Sequence, residues 1–325
     1  MVQQPFNHHR DYLLHELTAL ADIAGRHFHR DGLTARLHDL AQALLVSNPE
    51  PRPPLSNRTH VDTTFSLDLV SGIVLTAQSV IRGYPQMTEE DWADKATIAL
   101  AELSALLRKE HAARLRGLYV IADPEIAGSS DLAGLIAAAL QGGAKAVQLR
   151  DKHSDKGDQL PLAKTLAQMC RHHDALLFIN DHADLAVAAN ADGIHVGQHD
   201  LPVEEARKSL LPHQLVGTSN ALVDEAHASI GIGADYLAVG AMFPTKTKLN
   251  TRPAGVETLR MVRHITDLPI VAIGGINATN VAEVVQAGAD AICVTSAILA
   301  AEDPEAASAE LVEIIEKGLA TRREA

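Results

Sequence analysis

The sequence predicts an α/β protein, a (βα)8 barrel of the TIM type preceded by a small all-α helical domain. From Gly117 onward, short β-rich apolar runs alternate with Ala- and Leu-rich helical stretches. There are eight such runs, and one short motif recurs ahead of every second run. Apolar strands that alternate with helices are typical of a parallel sheet buried on both faces, and eight strands can close such a sheet into a barrel.

The first 114 residues contain helical periodicity and little else. Four apolar stripes recur at helical spacing, and they begin at Leu13, Leu33, Val70 and Trp92. The proline-rich segment 49–54 separates the second stripe from the third, because no helix passes through such a run. We therefore predict a four-helix bundle as the first domain, residues 1–114, and the barrel as the second, residues 115–325.

The recurrent motif supports closure of the barrel. The eight strands are predicted at 118–122, 146–149, 176–179, 193–196, 215–218, 236–241, 270–273 and 291–295. The motif begins at Gly143, Asn190, Gly233 and Gly288, where a helix ends at a Gly or Asn and the chain turns into a strand. A solenoid and an open doubly wound sheet are the alternatives. Eight regular units favour the barrel.

Composition narrows the classes of partner. Lys plus Arg total 28 and Asp plus Glu total 41, so the net charge of −13 argues against nucleic acid or an anionic membrane as the main partner. Two cysteines exclude a disulfide scaffold. The start has no signal-like apolar core, and no stretch approaches the ~18 apolar residues of a membrane span. We expect a cytoplasmic protein that binds small molecules, with a homo-oligomer left open.

Candidate functional residues stand at the carboxyl ends of the strands, where barrels of this class carry their chemistry. Arg150 and Lys152 follow the second strand on the same side as Gln148, and their charges suit a multiply charged oxyanion such as a diphosphate. Asp181 and Asp200 follow the third and fourth strands. Two carboxylates suit Mg²⁺, which takes few protein ligands and shares phosphate oxygens.

Further candidates follow the third strand and the later ones. Glycines after the seventh strand let backbone N–H groups approach a phosphate, and the loops after the last two strands are the usual phosphate site of such barrels. These candidates are Asn180, Ser219, Thr245, Lys246, Thr247, Lys248, Gly275, Thr295 and Ser296. Taken singly, Asp181 and Asp200 could be helix caps, and segment 245–248 could be a surface loop. Their position at one rim favours a functional site.

These motifs resemble those of the thiamine-phosphate synthase family over residues 117–318. They are Gln148-x-Arg150-x-Lys152, Asn180-Asp181, His195-Val196-Gly197-Gln198-x-Asp200, Gly217-x-Ser219, Phe243-Pro244-Thr245-Lys246-Thr247-Lys248, Ile273-Gly274-Gly275-Ile276 and Thr295-Ser296. The resemblance implies transfer of hydroxymethylpyrimidine diphosphate onto the nitrogen of a thiazole phosphate. Thiamine phosphate and diphosphate would be the products.

The resemblance also implies a role for each residue. The pyrimidine diphosphate would bind Gln148, Arg150, Lys152, Asn180, Ser219 and Lys248. The thiazole phosphate would bind Thr245, Lys246, Thr247, Gly275, Thr295 and Ser296, and Mg²⁺ would bind Asp181 and Asp200. Loss of diphosphate is expected to be dissociative, so Mg²⁺, Arg150, Lys152 and Lys248 would stabilise charge on the leaving group. The thiazole nitrogen is itself the nucleophile, so no general base is needed.

Two positions depart from the family pattern. His182 stands where the family usually has Arg after Asn-Asp, and Ala221 stands where a His often lies two residues after Ser219. Thiazole tautomerases, which are related, use a His at that second place and tend to lose the diphosphate-binding set. The sequence therefore favours a synthase. A tautomerase-like protein and a non-catalytic phosphate-binding barrel remain as alternatives.

The N-terminal bundle is similar in position and helical length to a domain fused ahead of some synthases, a hydroxymethylpyrimidine-phosphate kinase. That domain's Asn-Arg-rich first-helix motif is absent from residues 1–114, as is a Gly-rich phosphate loop. Degenerate kinase-like, structural and regulatory roles for the bundle all stay open.

Overall fold

The chain forms two compact units in a computed structural model that describes residues 4–46, 66–83, 91–128, 130–244 and 252–324. The first unit comprises Met1–Lys109 with Leu211–His213, and the second comprises Glu110–Leu210 with Gln214–Ala325. Within the described ranges, no helix is both long and apolar enough to cross a membrane.

Helices are the regular secondary structure in the described part of the first unit. They are α1 (Gln4–Arg26), α2 (Asp31–Val46), α3 (Leu67–Gly83) and α4 (Trp92–Ala112). The four apolar stripes that the sequence shows meet in one core, in which Leu17, Leu37 and Val74 are fully buried. The indole N–H of Trp92 donates a hydrogen bond to the carbonyl of Leu40 at 3.0 Å. The polar atom of this buried ring is therefore satisfied.

The second unit is a closed eight-stranded parallel barrel. Its strands are β1 (Gly117–Ala122), β2 (Ala146–Leu149), β3 (Leu176–Asn180), β4 (Gly193–Val196), β5 (Leu215–Asn220), β6 (Tyr236–Gly240), β7 (Ile270–Ile273) and β8 (Ala291–Val294). Each strand pairs in parallel with the next, and β8 pairs with β1. The predicted barrel is confirmed, and the solenoid and open-sheet alternatives are excluded.

Helices surround the barrel, and the strands separate its two apolar cores. They are α5 (Pro124–Ala127), α6 (Leu132–Gln141), α7 (Lys156–His172), α8 (Ala183–Ala188), α9 (Val203–Arg207), α10 (Val223–Gly231), α11 (Gly255–Ile265), α12 (Val281–Gln286), α13 (Ser296–Leu299) and α14 (Pro304–Glu324). Val120 and Leu237 belong to the core between strands and helices. Tyr119, Phe178 and Tyr236 fill the inside of the barrel. Side chains therefore close the interior, and chemistry is left to its ends.

The first residue of the recurrent motif has a positive φ in all four copies. Gly143, Asn190, Gly233 and Gly288 have φ angles of 97°, 52°, 81° and 120°. Glycine and asparagine tolerate this left-handed region better than other residues, which explains their place at the turn from helix to strand.

The aspartates of this motif tie neighbouring strands together. Asp192 accepts a hydrogen bond from the backbone N–H of Leu177 at 2.7 Å, near the start of the preceding strand. Asp235 and Asp290 accept in the same way from Val216 and Ile270, at 2.8 and 3.0 Å. These bonds lie at the amino-terminal end of the strands, opposite the candidate site. The motif therefore stabilises the barrel and does not contribute to the site.

Candidate active site

Two adjoining cavities open at the carboxyl-terminal end of the barrel strands. The larger has a volume of about 250 Å³, and Gly275 and Thr295 are among its lining residues. The smaller has a volume of about 140 Å³, and Gln148 and Arg150 are among the residues that line it. Ser219 and Thr295 line both cavities. Two ligands bound side by side would therefore meet between these residues.

Most of the sequence-predicted site residues meet at this end of the barrel. Those that line a cavity are Gln148, Arg150, Asn180, Ser219, Gly275, Thr295 and Ser296. Lys152, Asp181 and Asp200 are drawn together by direct interactions. The remaining four, Thr245, Lys246, Thr247 and Lys248, lie outside the described residues. The roles assigned to all of these residues stay predictions.

The two cations that follow β2 reach carboxylates on either side. Arg150 Nη1 donates to Asp123 Oδ2 at 2.5 Å, and Asp123 directly follows β1. Lys152 Nζ donates to Asp181, which directly follows β3. The Arg150 and Lys152 side chains are 29 % and 42 % exposed. Both charges are therefore held in place and remain accessible at the mouth.

Asp123 is a site residue that the sequence reasoning missed. Its carboxylate is only 5 % exposed, and its Oδ1 also accepts the N–H of Glu125 at 3.0 Å, at the start of α5. An acidic residue directly after the first strand was the available signal.

The helix-cap interpretation of Asp181 and Asp200 is wrong. Asp181 has a left-handed φ of 62°, which turns its carboxylate toward Lys152, and His182 occupies the N-cap position of α8. Asp200 Oδ2 accepts the N–H of Gly197 at 2.8 Å, while Pro202 occupies the N-cap position of α9. Neither carboxylate is used by a helix, so both are available at the mouth.

Asp181 and Asp200 lie close enough for their carboxyl groups to share a hydrogen bond. Burial and the neighbouring charge of Asp200 raise the pKa of Asp181, although Lys152 opposes this. For Asp200, burial acts upward, but the Gly197 N–H, the bond to Asp181 and the charge of Lys152 together hold its pKa below the usual value. Two acidic groups in this relation favour a shared cation.

The chemistry of this pair fits Mg²⁺ better than a transition metal. Among the residues that the structure describes, no group of three or more His, Cys, Asp or Glu side chains could hold a metal ion. Two carboxylates supply hard oxygen donors, and Mg²⁺ commonly takes only one or two carboxylates with the remaining ligands from water and phosphate.

The floor of the smaller cavity is polar and buried. Tyr119 and Tyr236 line it together with His195. The Gln148 amide donates to the Tyr119 hydroxyl at 2.7 Å, and His195 contacts Tyr236 and Ser219 through its two ring nitrogens. Burial raises the pKa of both tyrosines, which therefore remain neutral phenols. The sequence reasoning assigned no role to either tyrosine or to His195.

The larger cavity is bounded by glycines at the end of β7. Gly274 and Gly275 have φ angles of 103° and 68°. A Cβ atom on Gly275 would lie 2.7 Å from the carbonyl oxygen of Pro244. The Asn280 amide donates to the Gly275 carbonyl at 3.0 Å and holds this turn. A side chain at position 275 would therefore collide with Phe243 and Pro244, so glycine is required where the backbone of this turn lines the cavity.

One wall of the larger cavity contains an ion pair that the sequence reasoning did not predict. Arg252 lines the cavity and donates to Glu225 at 2.5 Å. Glu225 also accepts the backbone N–H of Ala221 at 2.7 Å. At position 221 this chain therefore has a methyl group and a backbone N–H that is already bound.

Comparison with known proteins identifies the family. A family model described as Thiamine monophosphate synthase matches residues 118–298. A thiamine-phosphate synthase of Thermosynechococcus vestitus is 34 % identical over 315 residues, which are 93 % of this chain and 86 % of that protein. A thiamine-phosphate synthase of Pyrococcus furiosus is 42 % identical over 206 residues, which are 62 % of this chain and 96 % of that protein.

A solved structure agrees with these matches. The thiamine phosphate pyrophosphorylase of Pyrococcus furiosus superposes with a TM-score of 0.59 at 39 % identity, over 66 % of this chain and 99 % of that chain. Family model and relatives together cover the barrel and the cavities at its mouth. The chain is therefore an enzyme of the thiamine-phosphate synthase family, whose members form thiamine phosphate.

Proposed function

We propose that the chain binds a pyrimidine diphosphate in the smaller cavity and a thiazole phosphate in the larger, and joins them with Mg²⁺ as cofactor. The observation that carries this proposal is the convergence of Arg150, Lys152, Asp181 and Asp200 at one mouth, beside two cavities that share lining residues. Two cations and two carboxylates suit a metal-bound diphosphate.

Arg150 and Lys152 would bind the diphosphate and stabilise it as it leaves. Their carboxylate partners already orient both side chains, so little reorganisation is needed when a ligand binds. Negative charge on the diphosphate grows as its bond to the pyrimidine methylene carbon breaks. Fixed positive charges therefore bind the transition state more tightly than the ground state, which raises turnover.

Asp181 and Asp200 would hold Mg²⁺. When bound, the ion would neutralise charge on the diphosphate oxygens. The two carboxyl groups are near enough to act on one ion, and Lys152 lies beside them. In this arrangement the Asp181 carboxylate would bind the metal ion and also accept the hydrogen bond from Lys152.

The two cavities account for the attack step. The departing diphosphate leaves a cation that the electron-rich aminopyrimidine stabilises, and the neutral phenols of Tyr119 and Tyr236 add no charge beneath it. The thiazole nitrogen would come from the larger cavity, across the boundary at Ser219 and Thr295. Holding the two substrates close together and correctly oriented would accelerate this step, since no proton has to be removed from the nucleophile.

Turnover of the full chain with both substrates tests these roles. We expect Asp181→Ala or Lys248→Ala to lower turnover at least ~10²-fold, the scale for one preorganised charge stabiliser. Glu257→Gln, in an exposed ion pair on α11, is the matched control and should leave turnover unchanged. Near-normal rates in both site variants would mean that the site lies elsewhere.

The N-terminal unit is better explained as a structural element than as a kinase. Its described helices pack around an apolar core, and the alignment with the Thermosynechococcus vestitus synthase extends over 93 % of the chain, which includes most of this unit. The full chain incubated with ATP and the pyrimidine monophosphate should form no diphosphate. Formation of the diphosphate would assign a kinase activity.

The substrates also bear on location and partners. Both are phosphates, whose charge makes passage through an apolar bilayer costly, so we place the reaction in the cytoplasm. The net charge of −13 disfavours nucleic acid as a partner. Cell fractionation tests the first statement, and a filter-binding assay with duplex DNA tests the second.

A further inference from the structure

We propose that His195 is a positioning residue for this reaction: a buried hydrogen-bond chain fixes its imidazole as the Nε2–H tautomer and so directs the Ser219 hydroxyl proton into the smaller cavity. This role of His195 rests on the proposed function in that Ser219 is taken to contact the pyrimidine diphosphate.

The chain of hydrogen bonds crosses the barrel interior through five strands. Gln148 Nε2 contacts the Tyr119 hydroxyl at 2.7 Å, and the hydroxyls of Tyr119 and Tyr236 are hydrogen-bonded to each other. The Tyr236 hydroxyl contacts His195 Nδ1 at 3.1 Å. His195 Nε2 in turn contacts Ser219 Oγ at 2.8 Å. Two residues that face the ligand, Gln148 and Ser219, are therefore the two ends of one network.

The donors and acceptors along the chain follow from its first member. The Gln148 amide N–H₂ can only donate, so Tyr119 accepts from it and gives its own proton to Tyr236. Tyr236 then gives its proton to His195 Nδ1. A neutral imidazole that accepts at Nδ1 carries its proton at Nε2, and that proton goes to Ser219 Oγ. The hydroxyl proton of Ser219 is left to donate to a ligand.

Burial makes the loss of any one bond in this chain costly. Tyr119 and Tyr236 are 1 % and 0 % exposed, so a missing bond would leave a polar atom unsatisfied in the barrel interior. Space is also restricted, because a Cβ atom on Gly217 would lie 1.9 Å from the ring of Tyr236. Glycine at position 217 therefore leaves the space that the Tyr236 ring occupies next to His195.

The two ends of the network present opposite polarity to the cavity. Ser219 presents a donor, which suits a diphosphate oxygen or a ring nitrogen. Gln148 presents its amide carbonyl, which suits the exocyclic amino group of an aminopyrimidine. A substrate with both an amine and acceptor atoms would satisfy both ends. This pattern would select an aminopyrimidine over a hydroxypyrimidine of the same shape, because the latter would leave one end unpaired.

Nuclear magnetic resonance of the full chain tests the tautomer without reference to activity. The chain is labelled with ¹⁵N in its histidine rings, and the signals of His195 are those that vanish in His195→Gln. Long-range ¹H–¹⁵N correlations at neutral pH should show a protonated Nε2 and an unprotonated Nδ1. An Nδ1–H tautomer or an imidazolium would overturn the inference.

Tyr236→Phe keeps the ring and removes only the hydroxyl that donates to Nδ1. In this variant we expect the His195 signals to move toward a mixture of the two tautomers. Signals that stay at the wild-type positions would mean that the tautomer is not set by Tyr236, and the chain would then have no role. The variant also provides a second test if a change at His195 prevents folding.

Two substitutions at His195 separate positioning from packing. In His195→Gln, the side-chain amide can still donate to Ser219 from a position near Nε2. In His195→Asn, the amide lies near Nδ1 and cannot reach Ser219. We expect turnover to fall about tenfold in His195→Asn, the scale of one hydrogen bond, and to be largely restored in His195→Gln. KM for the thiazole phosphate should be unchanged in both. Equal losses in the two variants would contradict a donor role.

A double-mutant cycle shows whether His195 acts through Ser219. Ser219→Ala should lower turnover, and adding His195→Asn to it should cause no further loss, because the hydroxyl to be directed is already gone. Losses that multiply would overturn the positioning role. Unchanged turnover in Ser219→Ala would instead refute the site assignment in the proposed function, while the tautomer would still be decided by the magnetic resonance spectra.

Discussion

Replacing Asp123 by asparagine removes one negative charge from beneath the barrel mouth and leaves the shape of the side chain intact. Asp123 accepts two hydrogen bonds: Oδ1 from the Glu125 N–H at 3.0 Å and Oδ2 from Arg150 Nη1 at 2.5 Å. The asparagine carbonyl can keep the first bond. Its N–H₂ group cannot accept the second, so the guanidinium of Arg150 loses its anchor.

The burial of the two partners sets the size of the effect. Removing one partner of a fully buried pair costs about 3–5 kcal/mol. The Arg150 side chain is 29 % exposed and can turn toward water, so the lower range of about 1.5–3 kcal/mol for a hydrogen bond to a charged group applies. We expect the free energy of unfolding of Asp123→Asn to fall by this amount. We also expect kcat/KM for the pyrimidine diphosphate to fall roughly tenfold, because Arg150 is no longer oriented.

Urea unfolding and steady-state kinetics on the same preparations measure both quantities. Glu257→Gln, which breaks the exposed pair with Arg260, is the control and should change the unfolding free energy by less than ~0.5 kcal/mol. KM for the thiazole phosphate should not change in Asp123→Asn, since Asp123 lines only the smaller cavity. Wild-type stability together with wild-type kcat/KM would refute the reasoning that Asp123 anchors Arg150.

Three further predictions follow from single contacts. Gly217→Ala places a Cβ atom 1.9 Å from the Tyr236 ring, and an overpacked core should lower the unfolding free energy by about 1–3 kcal/mol; an unchanged urea midpoint would contradict this. Gly275→Ala strains a residue with φ 68° at the larger cavity, so KM for the thiazole phosphate should rise while KM for the pyrimidine diphosphate stays constant. Parallel changes in both KM values would disprove the assignment of the thiazole phosphate to the larger cavity. Although burial of Glu225 acts upward, Arg252 and backbone N–H groups hold its pKa below the usual value. Wild type should therefore be more stable than Glu225→Gln above about pH 4.3, and the advantage should disappear as pH falls through the lower pKa of the folded state; urea midpoints that differ equally at all pH values would contradict it.

The strands were predictable because their apolar runs are continuous, and the differences lie at their ends. The fifth strand was predicted at 215–218 and extends to Asn220. Ser219 and Asn220 are polar, yet their backbones pair with Ala238 and Val239 of β6. A prediction from hydropathy ends the strand where the side chains become polar. Backbone pairing continues to the mouth, where polar side chains are needed.

Charged residues at the strand ends are visible in the sequence, but their partners are not. Arg150 stands at a strand end, where a charge is conspicuous in the sequence. Asp123 is 27 residues away from it, and Tyr236 is 41 residues away from His195. Such pairs depend on which strands become neighbours and on the register between them. The register between two strands is not visible in the sequence of either strand and is fixed only when the barrel closes. The buried hydrogen-bond chain therefore could not be inferred from the residues at the strand ends.

We propose that the mouth of the barrel joins two phosphate substrates with Mg²⁺ held by Asp181 and Asp200. The rate of thiamine phosphate formation by the full chain, measured against Mg²⁺ concentration in wild type and in Asp181→Ala, tests it most directly. Wild type should form product only when the divalent ion is present, and Asp181→Ala should be at least ~10²-fold slower at every Mg²⁺ concentration. Product formed at an undiminished rate without a divalent ion, or by Asp181→Ala at the wild-type rate, would contradict the claim.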